Sequence, residues 1–133
     1  THVDSSAASD VYKRQELRGD ISLEMEINNL ESNKGPIYIR ILDENENPVI
    51  VGTSPVINYS SEISFDSISP GKYAIQFFHD ENENQKMDFN LIGIPKEKFG
   101  SSNNVKPILG PPKFEKMLFN LTENKKVIMK PVN

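Results

Sequence analysis

The sequence predicts an all-β fold: a single antiparallel β-sandwich of about seven short strands, carrying one long capping loop. Three observations carry this expectation. Apolar and polar residues alternate with period two in several separate runs. Pro and Gly punctuate the intervals between those runs. No stretch combines a helical period with caps at its ends.

The elements follow in order. In residues 20–27, Ile21, Leu23, Met25 and Ile27 fall on one face and Ser22, Glu24 and Glu26 on the other. That is the pattern of a half-buried strand. A turn signal fills residues 28–35, and residues 36–42 alternate again, with Ile37, Ile39 and Ile41 opposite Tyr38 and Arg40. DENENP at 43–48 reads as a turn, and the apolar run 48–52 as an edge strand, because its leading Pro cannot donate to a ladder. Residues 62–65 alternate through Ile63 and Phe65, and residues 72–79, rich in β-branched and aromatic side chains, form the strongest strand. Residues 113–121 and 125–130 are expected to pair as a hairpin across residues 122–124. A short helical turn can start at Pro95 and run to Phe99. In Ser69-Pro70-Gly71-Lys72-Tyr73, Pro70 and Gly71 suit a type II turn, with positive φ at Gly71 and the Tyr73 ring over the sandwich end.

Composition narrows the class. A chain of 133 residues suggests one domain, and its net charge of −4 argues against nucleic acid as the main partner. No apolar run approaches the length that inserts in a membrane. With no cysteine there is no disulfide and no thiolate metal site, and with no Trp the usual anchor of a sugar-stacking platform is missing, though Tyr and Phe could substitute. Residues 5–15, SSAASDVYKRQ, resemble an in-frame translation of a transposon sequencing adaptor. Residues 1–15 are therefore expected to be an artefactual, disordered tail on an assembled or metagenomic gene fragment, with 16–133 as the β-sandwich domain. A signal peptide is expected to have been lost upstream.

The long segment from His79 to Phe114 is where chemistry would sit, because long irregular segments inside compact domains are usually functional. Asp80, Asn82, Asn84 and Asp88 alternate so that their side-chain oxygens could converge on a calcium ion, with the Lys86 carbonyl as a fifth ligand. The match to a calcium loop is partial, since Gln85 and Leu91 stand where glycine and a bidentate glutamate would be. The competing reading is a tight turn in which Asp and Asn bond their own backbone. DENEN also occurs at 43–47, where it reads as an ordinary turn. His79 is a weak catalytic candidate, with no second His, Cys or Ser at a recognisable spacing. Farther along, Asn90, Pro95, Ser102, Asn103 and Asn104 are candidates for a binding loop, against the plainer reading of a cap on the core.

Taken together, HDEN-x-N-x-K-x-D-x-N, then GIP, SNN and GPP-x-F, resemble a bacterial family known as domain of unknown function 2141, over essentially all of residues 20–130. The resemblance implies a secreted or periplasmic protein of the cell envelope with a transthyretin-like, Ig-like sandwich, and no established activity. The family shows glycine at the places held here by Glu83 and Gln85. The function expected is an exported, non-enzymatic binding or structural module with a calcium-stabilised loop at 80–88. Its partner would be a protein, peptide or glycan. The alternative is a small hydrolase-like enzyme using His79 with Asp80 or Asp88.

Overall fold

A computed structural model describes residues 19–84 and 97–133. Eight strands run in order: β1 (Ile21–Ile27), β2 (Ile37–Asp43), β3 (Pro48–Ser54), β4 (Ser61–Ile68), β5 (Gly71–His79), β6 (Phe99–Ser101), β7 (Phe119–Leu121) and β8 (Lys125–Met129). Short 3-10 turns occupy Ser102–Asn104 and Phe114–Lys116. The smaller sheet has the order β4-β1-β8, and the larger β3-β2-β5-β6, with β7 also pairing β5. Among the described residues no helix is long and apolar enough to cross a membrane.

The predicted alternation becomes the core. Leu23, Met25, Ile27 and Phe65 from the smaller sheet bury against Ile39, Ile41, Ile75 and Phe77 from the larger. Each such side chain contributes roughly 1.5–3 kcal/mol on leaving water. The outer face of the smaller sheet is charged. Glu24, Glu62 and Lys126 are exposed there. Lys126 pairs with Glu26 at 2.9 Å, joining β8 to β1. Its ammonium, with Asn28, holds the Glu26 carboxyl below the ordinary glutamate value.

Four expectations need correcting. Strands β7 and β8 do not form a hairpin: β7 pairs β5, while β8 crosses to the smaller sheet and runs parallel to β1. Thr122–Asn124 is thus a bridge between sheets, fixed where the Asn124 side-chain oxygen accepts from the Ser22 N–H at 2.9 Å. The reason is an edge-filling one. The edge of β5 is shared by β6 at Gln76–Phe78 and β7 at Gly71–Tyr73, which leaves β8 to cover β1. Second, most of 113–121 is not strand, and Phe99 belongs to β6 rather than to a helical turn. Third, the antiparallel expectation fails at the β1–β8 pair.

Fourth, Gly71 has no positive φ; it opens β5 opposite Leu121. Glycine serves there by leaving room. The Tyr73 ring passes 3.5 Å from where a Cβ would stand, and its hydroxyl donates to the Ser69 carbonyl at 2.7 Å. The positive φ of this corner lies instead at Ser67, at 65°.

Candidate functional site

Both copies of DENEN fold into the same turn. In the first, the Asp43 carbonyl accepts from the Glu46 N–H at 3.0 Å and Asp43 Oδ1 accepts from the Asn47 N–H at 3.0 Å. In the second, the Asp80 carbonyl accepts from the Glu83 N–H at 3.1 Å and Asp80 Oδ1 from the Asn84 N–H at 3.2 Å. Positive φ falls at the matching glutamates, 67° at Glu46 and 57° at Glu83. Asn82 Oδ1 also accepts from the Asn84 N–H, at 3.3 Å. These are the self-bonded turns that short Asp and Asn side chains favour. Lys86 and Asp88, and the binding-loop candidates Asn90 and Pro95, lie outside the described residues. Among the described residues, no cluster of three or more His, Asp and Glu side chains could hold a metal ion.

Glu83 occupies a conformation that costs an L-residue about 1 kcal/mol and that glycine adopts freely. Glu83→Gly should therefore raise stability by about 0.5–1 kcal/mol, read in a urea melt. A loss of stability would show that the side chain, and not the backbone, matters at this position.

His79 is fully buried at the end of β5. Its Nε2–H donates to the Lys34 carbonyl at 2.6 Å, which leaves Nδ1 as a buried acceptor without a partner among the described residues. The backbone repeats this join once, at Asp80, and at His79 it ties the strand to the segment before β6. His79 N–H donates to the Lys98 carbonyl, and Asp80 N–H to the Pro36 carbonyl. His79 and Asp80 thus staple the β1–β2 connection to the end of β5.

Ser102, Asn103 and Asn104 act as a clip. Ser102 Oγ donates to the Met117 carbonyl at 2.6 Å and accepts from the Ile75 N–H at 3.0 Å, all three groups buried. Asn103 donates to the carbonyls of Lys116 and Leu118, and Asn104 accepts from the Lys130 N–H. Positive φ at both asparagines aims these bonds. The cap reading of this motif is the one its hydrogen bonds support.

The feature that sequence reasoning missed is the outer face of the larger sheet. Register arranges it in rows. Thr53, Tyr38, Phe78 and Phe99 stand opposite one another across β3, β2, β5 and β6. The next row is Val51, Arg40, Gln76 and Ser101. Beyond it Leu42 and Ala74 are covered by Met117, with Val105, Phe114 and Leu118 packed around them. The loop that carries the GPP-x-F motif therefore roofs one part of the face, and among the described residues nothing roofs the rest.

In the open part, a recess of about 330 Å³ is lined by Tyr38, Arg40, Val51, Gln76 and Phe78, with Ile39 and Phe77 beneath. The Tyr38 and Phe78 rings stack with centroids 5.3 Å apart and planes 14° from parallel. Arg40 Nε–H donates to Gln76 Oε1 at 2.8 Å, and Gln76 Nε2 contacts Met117 Sδ at 3.5 Å. The signal for this site was on β5. Ala74 and Phe78 fall out of phase with the core positions Tyr73, Ile75 and Phe77, so both faces of that strand carry apolar side chains.

A family model described as "Uncharacterized protein conserved in bacteria (DUF2141)" matches residues 25–129. No curated protein and no solved structure matches the chain.

Proposed function

The chain belongs to this family of uncharacterised bacterial proteins, and from that premise we propose that it is a non-enzymatic binding module whose ligand lies on the open part of the larger sheet's outer face. One observation carries the reading. A recess of about 330 Å³ brings ring surface together with a few polar groups, which is the usual make-up of a small-ligand site. The smaller sheet differs, since its outer face carries Glu24, Glu62 and Lys126 in solvent beside a single exposed Ile128. The hydrolase alternative needs His79 at an open mouth, and its ring is instead buried against Lys34. The cell envelope is the location the reading adopts, on the family resemblance.

The test is a ¹⁵N NMR titration of the protein with panels of glycan fragments, short peptides and small metabolites. Saturable shifts grouped at residues 38–40, 51 and 76–78 are expected for at least one panel. Shifts grouped at residues 79–84 instead would move the site to the acidic loop and end the reading.

The same reading gives Asp80 to the fold and not to a metal. Millimolar calcium should leave the melting temperature within about 1 °C, while Asp80→Ala should lower it by several degrees. A calcium-dependent rise, reversed by chelator and abolished by Asp88→Ala, would restore the metal loop.

A further inference from the structure

We infer that the ligand of this face is a small organic anion: a carboxylate or phosphate monoester with a flat apolar body, its oxygens held by Arg40 and its body on the Tyr38–Phe78 pair. The inference rests on the binding reading above and goes on to name what is bound.

The argument starts from the guanidinium. A guanidinium presents its donors in a rigid planar fork. Among the described residues the ion pairs are Lys98–Glu31 and Lys126–Glu26, and Arg40 is in neither. Its only described side-chain hydrogen bond leaves through Nε to Gln76. Gln76 is in turn backed by Met117. The fork is therefore oriented from behind, while its two terminal nitrogens stay available. Two parallel N–H donors are what a carboxylate or a phosphate accepts in bidentate fashion.

The neighbours fix the rest of the ligand. Tyr38 lies two residues before Arg40 on the same strand and face, so the ring row begins about 7 Å from the charge row. The ring edges and the Val51 side chain give an apolar floor beside the cation, and the roof that holds Met117 closes the opposite end. A cation flanked by rings on a half-covered sheet selects a ligand with one anionic end and one flat apolar end. The other sheet makes the comparison: there the outward cation Lys126 is engaged by Glu26 within the fold.

The experiment uses three probes of matched body: 3-phenylpropionate, phenyl phosphate and the neutral 3-phenylpropanol. Binding is followed on the Arg40 Nε–H signal and on the amides of Tyr38, Gln76 and Phe78. The expected result is saturable binding of at least one anion, about tenfold or more tighter than the alcohol. Arg40→Gln should abolish that preference, Arg40→Lys should retain part of it, and Lys126→Gln should leave it unchanged. Which anion binds more tightly separates a carboxylate source from a phosphate one. Equal binding of the alcohol and the anions at this face would overturn the anion assignment and keep the binding face. No shift at this face from any probe at about 10 mM would overturn the anion assignment, and the binding face would then stand or fall on the wider panels. An anion effect that survives in Arg40→Gln, with the variant's spectrum otherwise native, would overturn the role of Arg40.

Discussion

Gly35→Ala should cost about 3 kcal/mol or more and lower the melting temperature by about 10 °C. Two effects add at this position. Gly35 has φ of 72°, a region that costs an alanine about 1 kcal/mol. A Cβ there would also stand 2.0 Å from the Asp80 carbonyl oxygen, and backbone cannot swing aside as a flexible side chain does. The segment cannot yield locally, because its neighbours are fixed to the same strand end: Lys34 by the His79 ring and Pro36 by the Asp80 N–H. Gly110 supplies the comparison. Its φ is 137°, yet among the described residues nothing lies within 4 Å of its would-be Cβ. Gly110→Ala should show the conformational cost alone. If urea melts give the two variants equal losses, the close approach of Gly35 to Asp80 is not what holds the end of β5.

Ser102→Ala should cost about 2–3 kcal/mol. The hydroxyl serves two buried backbone groups at once, the Met117 carbonyl and the Ile75 N–H. Its removal strands both, and leaving a buried group unsatisfied costs more than a hydrogen bond contributes when made. Because Met117 roofs Leu42 and Ala74 and also backs Gln76, the variant should disturb the edge of the recess as well. Hydrogen exchange at the Ile75 amide gives the local readout. A loss below about 0.5 kcal/mol with unchanged exchange would mean that the clip is held by Asn103 and Asn104 instead.

The parts legible in the sequence were those decided locally. Strands β1 and β2 announced themselves because burial of one face imposes strict alternation on Ile21–Ile27 and Ile37–Ile41, and β5 through its aromatic and β-branched side chains. The destination of β8 was not legible. Residues 119–129 look like a hairpin, and the choice between sheets depends on which distant edge is still unfilled. The two DENEN segments share five residues, and the structure gives both the same turn, which the sequence reading assigned to the first copy only. Gly71 shows the opposite case, where a turn signature was right about the place and wrong about the reason. The recess exists only through cross-strand register. Tyr38 and Phe78 are 40 residues apart in the chain and meet because Ile37 pairs with His79. Nothing in either local sequence states that pairing.

The parallel pairing of β1 with β8 has a consequence during synthesis. Ser22 and the Asn124 side chain that holds it are separated by 102 positions. At roughly 5–20 residues per second, a ribosome needs several seconds or more to reach β8 after β1 has emerged. Until then β1 can be paired on its β4 side only, and its other edge stands open to any passing strand. Outward-facing Glu24 and Glu26 put negative charge along that waiting edge, so copies emerging close together on one message would repel each other where they could otherwise join.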